Sequence, residues 1–565
     1  MNSPRLSTEG ADVAAPSLAA SIGPARGVAI LLLLAAAVLR LLVVRNEVSS
    51  LYSYRVDDRL YLDHAVDIAA GRWLGTYDQH TLAKSPGYGL FLAFSSATGL
   101  SRLAAEAWVS IAAGVLLYVA CRRSRVAALP AAAAAALWML ASSHFTAQAA
   151  RPLRDDFCAS LTVLAVAAGA LRLAVVRERR SSAFLLVVHG LALGYGAIVR
   201  EEAVVFLAPH LPVLVAVWLA RRGVGEGRSS RRLEQAGLVV MELALIAAPT
   251  LAVTAINRAV YGVACVSELS EPEFGRAIGA IQGVARQGGS RLEPLSKAKL
   301  ERLYELSPTL ARSAKSGLDG AAYRGIQSVD ANGDRIANFT LWALRDAAAA
   351  GGRHRSAAGA RAFYRQVADE IDGAVARGAI ASSGNTGGIL PPLERRHAAA
   401  IAERFGALAL DTFRQRFPTI GAIESLELVD GIDAIAEIRY RRLLREPTSL
   451  TERMAPRPRW TLAQTLVPKA RLAAQVLLVF AVFAVAVRAA LCGPRFFAAS
   501  AFAVYGPLLL VWAARLAMVA VLETIWFSSG TQYAMPFYPL AVMALLIAAA
   551  GGPANQRTMS VTNHM

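Results

Sequence analysis

The chain has 565 residues, 55% of them hydrophobic, and a formal net charge of +18. Its apolar runs are too long and too many for a soluble globular fold. The positive charge does not point to nucleic acid, because arginine gathers in short connections between apolar runs, the pattern of a membrane topology signal.

The first 26 residues are polar and rich in Ala, Ser and Pro, and read as a disordered cytoplasmic tail. Apolar runs then predict about ten spans, near 28–44, 104–120, 126–143, 157–176, 183–199, 203–220, 237–256, 470–488, 497–519 and 536–550. The expected fold class is an all-α polytopic membrane protein. It has an N-terminal membrane block at 27–256, a mainly helical extracytoplasmic insertion at 257–469, a C-terminal block at 470–550 and a cytoplasmic tail at 551–565. Arg122, Arg123 and Arg125, then Arg177, Arg179 and Arg180, then Arg221, Arg222, Arg228, Arg231 and Arg232 fall on one side if the spans alternate. The positive-inside rule makes that side the cytoplasm. Segments 45–103, 144–156, 200–202, 257–469 and 524–535 then face outward.

The first outer loop, Val56 to Leu92, is the richest segment. Asp57 and Asp58 precede a helical pattern running to Ala70 and stopped by Gly71. One reading makes Asp57 the helix N-cap. The other makes it a general base at the bilayer edge, its pKa raised by partial desolvation and lowered again by Arg55 or Arg59. Asp63, His64 and Asp67 follow on that helix, His64 as a polar-face residue. The chain has five lysines, and Lys84 is the first of them. It stands before Ser85 and Pro86, which read as N-cap and first position of a helix over 86–94. Lysine and helix N-terminus together form a phosphate site; the alternative is an interfacial lysine reaching for headgroups. The apolar run 87–100 is short for a span and is expected in the interface. Trp73, Tyr77 and Tyr88 read as interfacial belt residues, one of which could stack on a sugar.

Further along, Arg151, Arg154, Asp155 and Asp156 form either a self-neutralising loop or a second wall of the same cleft. Arg200, Glu201 and Glu202 fill a turn too short to leave the outer surface, with Arg200 suited to a phosphate oxygen and a glutamate suited to holding Arg200. In the insertion, Phe363, Val367, Ile371 and Val375 recur at helical spacing, with Tyr364, Ala368 and Ala374 widening the face. Residues 382–392 read as a loop and 426–445 as another helix. Thr531, Gln532 and Tyr533 precede the last span as belt residues or as donor contacts. The four cysteines, Cys121, Cys158, Cys265 and Cys492, show neither a disulfide framework nor metal-ligand spacing. No nucleotide fingerprint is present.

Asp57-Asp58, Trp73-Leu74-Gly75 and Lys84-Ser85-Pro86-Gly87-Tyr88 before an interfacial run resemble the GT-C class of integral-membrane glycosyltransferases, which use lipid-phosphate sugars. The nearest relatives implied are bacterial proteins akin to protein O-mannosyltransferases and to aminoarabinose transferases acting on lipid A. Arg200-Glu201-Glu202 and the large insertion fit the same group. Gln532-Tyr533 departs from it, where members often carry Arg-Tyr, and Ser85 separates a lysine and proline that usually adjoin. The resemblance puts the catalytic aspartate on Asp57, with Asp58 second, the second acidic loop on Asp155 or Asp156, and phosphate binding on Lys84. Tyr88, Arg154, Arg200, Glu201, Glu202, Gln532 and Tyr533 complete the expected substrate-binding set.

The expected activity is inverting transfer of a monosaccharide from a polyprenyl-phosphate donor to a glycan, lipid or protein hydroxyl outside the inner membrane. It calls for no nucleotide or metal cofactor, no nucleic-acid partner, and contact with membrane lipids. The alternatives are a transporter or flippase of a lipid-linked glycan, which would need ionisable groups near mid-bilayer, and an assembly subunit acting through its insertion.

Overall fold

The structure is a computed structural model. It describes residues 23–45, 47–51, 57–141, 144, 147–175, 179–202, 207, 210–212, 215, 229–285, 297–319, 340–380, 389–390, 393–414, 434–449, 458–492, 501–525 and 533–551. Among them the protein is helical, with one isolated antiparallel bridge between Val126 and Gly551. Six helices are long and apolar enough to cross a membrane, so the protein has the make-up of a multi-pass membrane protein.

The N-terminal block contains α1 (Pro24–Val44), α2 (Asp58–Ala69), α3 (Gly87–Ala97), α4 (Arg102–Arg123), α5 (Ala128–Met139), α6 (Asp155–Ala174), α7 (Arg179–Val199) and α8 (Ser229–Tyr261). Helix α6 is the most enclosed span; it packs on α4 and α7, and α7 packs on α8. Alanine and glycine let these backbones come close, which is how helices associate where lipid is the solvent. Leu31, Leu34 and Val38 on α1 and Phe480 and Phe483 near the C-terminus stay exposed, as lipid-facing residues do. Of the seven spans expected in this block, five are long apolar helices and a sixth, at α5, is a shorter one. The expected span at 203–220 lies largely outside the described residues.

The insertion is mainly helical: α9 (Pro272–Ala285), α10 (Lys297–Leu306), α11 (Pro308–Asp319), α12 (Thr340–Ala350), α13 (Ala357–Ala376), α14 (Ala398–Arg414) and α15 (Ala434–Leu443). Phe363, Tyr364, Val367, Ala368, Ile371 and Ala374 of α13 are buried as expected, while Val375 is only half-buried, because the face turns toward Ala374. Loop 382–392 and residues 426–433 lie largely outside the described residues. Leu60 and Ala83 of the first loop belong to the same apolar core as α9 to α13. The insertion therefore sits directly on that loop. Glu268 N donates to Leu82 O at 2.7 Å, Tyr77 Oη to Glu268 at 2.5 Å and Trp73 Nε1 to Asn257 at 2.8 Å. Trp73 and Tyr77 are thus fixed structural contacts. Helix α14 instead packs on a helix of the C-terminal block. That block comprises α16 (Pro458–Cys492), α17 (Phe502–Ile525) and α18 (Tyr538–Ala550).

Two local expectations change. His64 is buried rather than on a polar face, because α3 covers that side of α2. The helix after Lys84 starts one residue later than expected, at Gly87, with Pro86 in the N-cap position and no side-chain cap. Ser85 instead gives its backbone N–H to Glu201 Oε1 at 2.9 Å. A Cβ on Gly87 would lie 2.4 Å from Ile198 O, so glycine is what lets α3 start against the end of α7. Tyr195 Oη donates to Gly87 O at 2.7 Å and fastens this contact.

Candidate functional site

Four stretches far apart in sequence meet at one end of the N-terminal block: the start of α2, the turn before α3, the start of α6 and the turn after α7. Asp57 occupies the N-cap position of α2 but makes no side-chain cap bond. Its Oδ1 lies 3.2 Å from Lys84 Nζ, and its side chain is 35% exposed. The cation paired with Asp57 is therefore Lys84; Arg55 lies outside the described residues. Lys84 Nζ also sits 5.5 Å from the ring centroid of Trp342 in α12, a cation–π distance. The insertion thus supplies a wall of the site that no motif announced.

Asp58 points the other way. It is 1% exposed and takes two hydrogen bonds from Arg151, at 2.8 Å from Nε and 2.7 Å from Nη2. Burial raises its pKa against the pull of Arg151. The pair ties α2 to the segment before α6.

The loop from Arg151 to Asp156 does not neutralise itself. Each of its four charges finds a partner on another element. Arg151 holds Asp58, and Arg154 Nη2 meets Glu201 Oε2 at 2.6 Å. Asp155 pairs with Arg200. Asp156 faces His144 at 3.6 Å, away from this cluster. Arg200 is held from both sides, since Glu202 takes its Nε at 3.0 Å and its Nη2 at 2.9 Å. Burial works to raise the Glu201 carboxyl, but Arg154 and Lys84 outweigh it and hold it down at about 2. Glu202 is likewise kept well below the usual carboxylate range, with Arg200 overcoming burial. Both glutamates are anions at neutral pH.

Tyr88 does not reach the cluster. It is fully buried, and its hydroxyl donates to Glu106 at 2.5 Å, a carboxylate that also holds Arg102. The aromatic run after Lys84 serves packing there. Gln532 lies outside the described residues. Tyr533 is at the site, its ring centroid 6.0 Å from Arg200 Cζ.

Sequence reasoning missed Arg515. It lies within α17, is 3% exposed, and reaches Asp155 with Nη2 at 3.6 Å. The signal was a lone arginine inside an apolar run, where ionisable groups mark function by default. The same signal marks Arg172, His189 and Glu242, which pair with one another deep among α6, α7 and α8, with His189 Nδ1 2.7 Å from Glu242. Polar groups are therefore not confined to one end of the block.

Lys84, Arg154, Arg200 and Arg515 alternate with Asp57, Asp155, Glu201 and Glu202. Such a set can bind an anion among cations while keeping a carboxylate beside it to accept a proton. Among the described residues no group of three or more His, Cys, Asp or Glu is placed to hold a metal ion.

No family model matches the chain, and no curated protein matches it. Among solved structures it is similar to ArnT from Cupriavidus metallidurans in the apo state, at 16% identity over 94% of this chain and 78% of that one, with a TM-score of 0.31. The structure of ArnT from Cupriavidus metallidurans bound to undecaprenyl phosphate gives 15% identity over 93% and 78%, with a TM-score of 0.30. Values this low carry no argument, and the chemistry rests on the residues.

Proposed function

We propose that the protein is a membrane glycosyltransferase that moves a monosaccharide from a polyprenyl-phosphate donor to a hydroxyl acceptor, with inversion, on the extracytoplasmic face of a bacterial inner membrane. The observation that carries this is the Asp57–Lys84 pair, set beside the Arg154–Glu201 and Arg200–Asp155 pairs. A proton acceptor and phosphate-binding cations stand within one cluster, next to spans that can host a prenyl chain.

The chemistry then follows. The donor phosphate draws Lys84 to itself, which releases Asp57 toward the acceptor. The acceptor oxygen attacks the anomeric carbon as Asp57 takes its proton. The bond from that carbon to the phosphate oxygen breaks, and its electron pair stays on the phosphate. Lys84 and the arginines stabilise the new charge by preorganised electrostatics. Glu201 and Glu202 keep Arg154 and Arg200 in place and ionised, and Trp342 closes the site over Lys84.

The test is incubation of the purified protein with a defined polyprenyl-phosphate sugar and an extracytoplasmic acceptor fraction. Release of polyprenyl phosphate together with an inverted glycoside supports the proposal. An intact donor under conditions where the protein stays folded refutes it.

A second reading, a transporter or flippase of a lipid-linked glycan, draws on the buried Arg172–His189–Glu242 set, since such carriers place ionisable groups within the bilayer. These three residues pair with one another, as a structural clamp does. Donor movement between leaflets of vesicles without sugar transfer would favour this second reading.

A further inference from the structure

We propose that Arg515 is a phosphate-binding residue that answers the charge of the leaving group, so that the site prefers a dianionic phosphomonoester over a monoanionic phosphodiester. This rests on the lipid-phosphate sugar reading above.

A buried guanidinium needs its five donors met. Arg515 Nε has Tyr533 O at 3.0 Å, and among the described residues Nη1 has only the Met518 sulfur at 3.7 Å, a weak acceptor. Its Cζ lies 5.1 Å from the Phe537 ring centroid. Nη2 is buried and meets no hydrogen-bond acceptor among the described residues. The Asp155 oxygen at 3.6 Å is beyond hydrogen-bond range. A buried donor left in this way calls for an explanation.

The neighbouring cations are better served. Lys84 has Asp57, Arg154 has Glu201, and Arg200 has both Glu202 and Asp155. Among the described residues Arg515 has only a distant share of a carboxylate that Arg200 already uses. It is the least compensated cation of the cluster. The carboxylates are 14% to 35% exposed while Arg154, Arg200 and Arg515 are 3% to 7% exposed, so the arginines form the inner wall. The unfilled Nη2 faces Asp155 from that wall.

Transfer changes the charge this wall must meet. The donor is a phosphodiester with one negative charge. When the bond to the anomeric carbon breaks, the electron pair stays on the oxygen and the phosphate becomes a monoester with a second charge. The acceptor proton is on Asp57 at that point. A donor group left open in the resting state is suited to the oxygen that gains this charge.

The experiment titrates the full-length protein in detergent with farnesyl phosphate and with farnesyl methyl phosphate, at a pH above the second phosphate ionisation. Wild type is expected to bind the monoester tighter by about tenfold or more, the scale of one charge-assisted hydrogen bond. Arg515→Gln is expected to weaken the monoester by about tenfold and the diester by less than about threefold. Arg515→Lys keeps the charge but not the fork and is expected to fall between them. Lowering the pH below about 6, where the monoester loses its second charge, is expected to erase the wild-type preference. Thermal melting confirms that each variant is folded, and Arg515→Lys decides the matter if the Gln variant is not. An unchanged preference in a folded Arg515 variant, or equal loss of both ligands, overturns the inference and leaves the glycosyltransferase reading standing. Binding of neither ligand by wild type overturns both.

Discussion

Asp57 and Lys84, separated by 27 positions of sequence that hold α2 and the loop after it, form an ion pair of 3.2 Å. Asp57 stands where a helix cap would stand, yet leaves the cap bond unmade. Its carboxylate is thus committed to Lys84 rather than to the backbone. A base and a phosphate-binding cation held together in the resting state would separate when the donor arrives.

Lys84 is therefore expected to matter for donor binding. Lys84→Ala should raise the donor KM by about tenfold or more, the value of a hydrogen bond to a charged group. Lys84→Arg should retain part of the affinity, because charge is kept and shape is not. Steady-state kinetics on purified protein measures both. Wild-type KM in Lys84→Ala would remove this residue from the phosphate site.

Gly87 holds the turn against the end of α7. Its alanine variant puts a methyl 2.4 Å from Ile198 O, a backbone atom that cannot swing aside. Overpacking of this kind costs about 1–3 kcal/mol. Gly87→Ala should lower the melting temperature and also the activity, since Ser85 would lose its register with Glu201. An alanine variant with unaltered melting would show that the contact is looser than described.

The insertion should lose stability in mild acid through His354. Burial, helped by Arg345, holds this imidazole down at about 2. Its Nε2 is 2.7 Å from Tyr364 Oη, and its Nδ1 is 3.4 Å from Tyr77 Oη. An unfolded histidine takes a proton near pH 6.5. Between that value and about 2 the unfolded chain binds a proton that the folded chain refuses. Stability from this group is thus complete above about 6.5 and declines as the pH falls below it. Melting curves from about pH 7.5 to about 5 should show a decline that is shallower in His354→Gln. Equal slopes in the two proteins would exclude this histidine as the cause.

Topology offers an independent check. Reporter fusions at Arg228 and Gly387 should give opposite signals, because the arginine-rich connections and the insertion are expected on opposite sides. Equal signals would place the charged cluster on the wrong face for an externally presented donor.

Much of this site could be read from local sequence, and the parts that could not depend on distant contacts. Lys84, Ser85 and Pro86 announced a helix start, and Arg200-Glu201-Glu202 announced a charged turn, because both are set by neighbours in the chain. The roles of Asp57 and Asp58 were less legible, since only the fold brings Lys84 to one and Arg151 to the other. Tyr88 looked available from its place beside Lys84, but the helical rotation that follows Gly87 turns it onto Glu106. Trp342 gave no local sign, being one apolar residue of a soluble helix until α12 docks on the first loop. Arg515 did give a sign, an arginine in an apolar run, whose partners on α6 and beside Tyr533 no local pattern reveals. The helical fold itself was legible from hydropathy, because a lipid solvent requires long apolar segments with internally paired backbones.

The most direct test of the central claim is sugar transfer by Asp57→Asn. Asparagine keeps the size of the side chain, and no cap bond is lost, because none is made. Asp58→Asn serves as the structural comparison: it weakens a buried pair with Arg151 and should lower the melting temperature. The measurement is polyprenyl phosphate released from a defined polyprenyl-phosphate sugar by equal amounts of folded protein. Asp57→Asn should melt like wild type and transfer about 100-fold more slowly or worse, the scale of a general base. Near-normal transfer by Asp57→Asn would contradict the account and take the proton acceptor away from this residue.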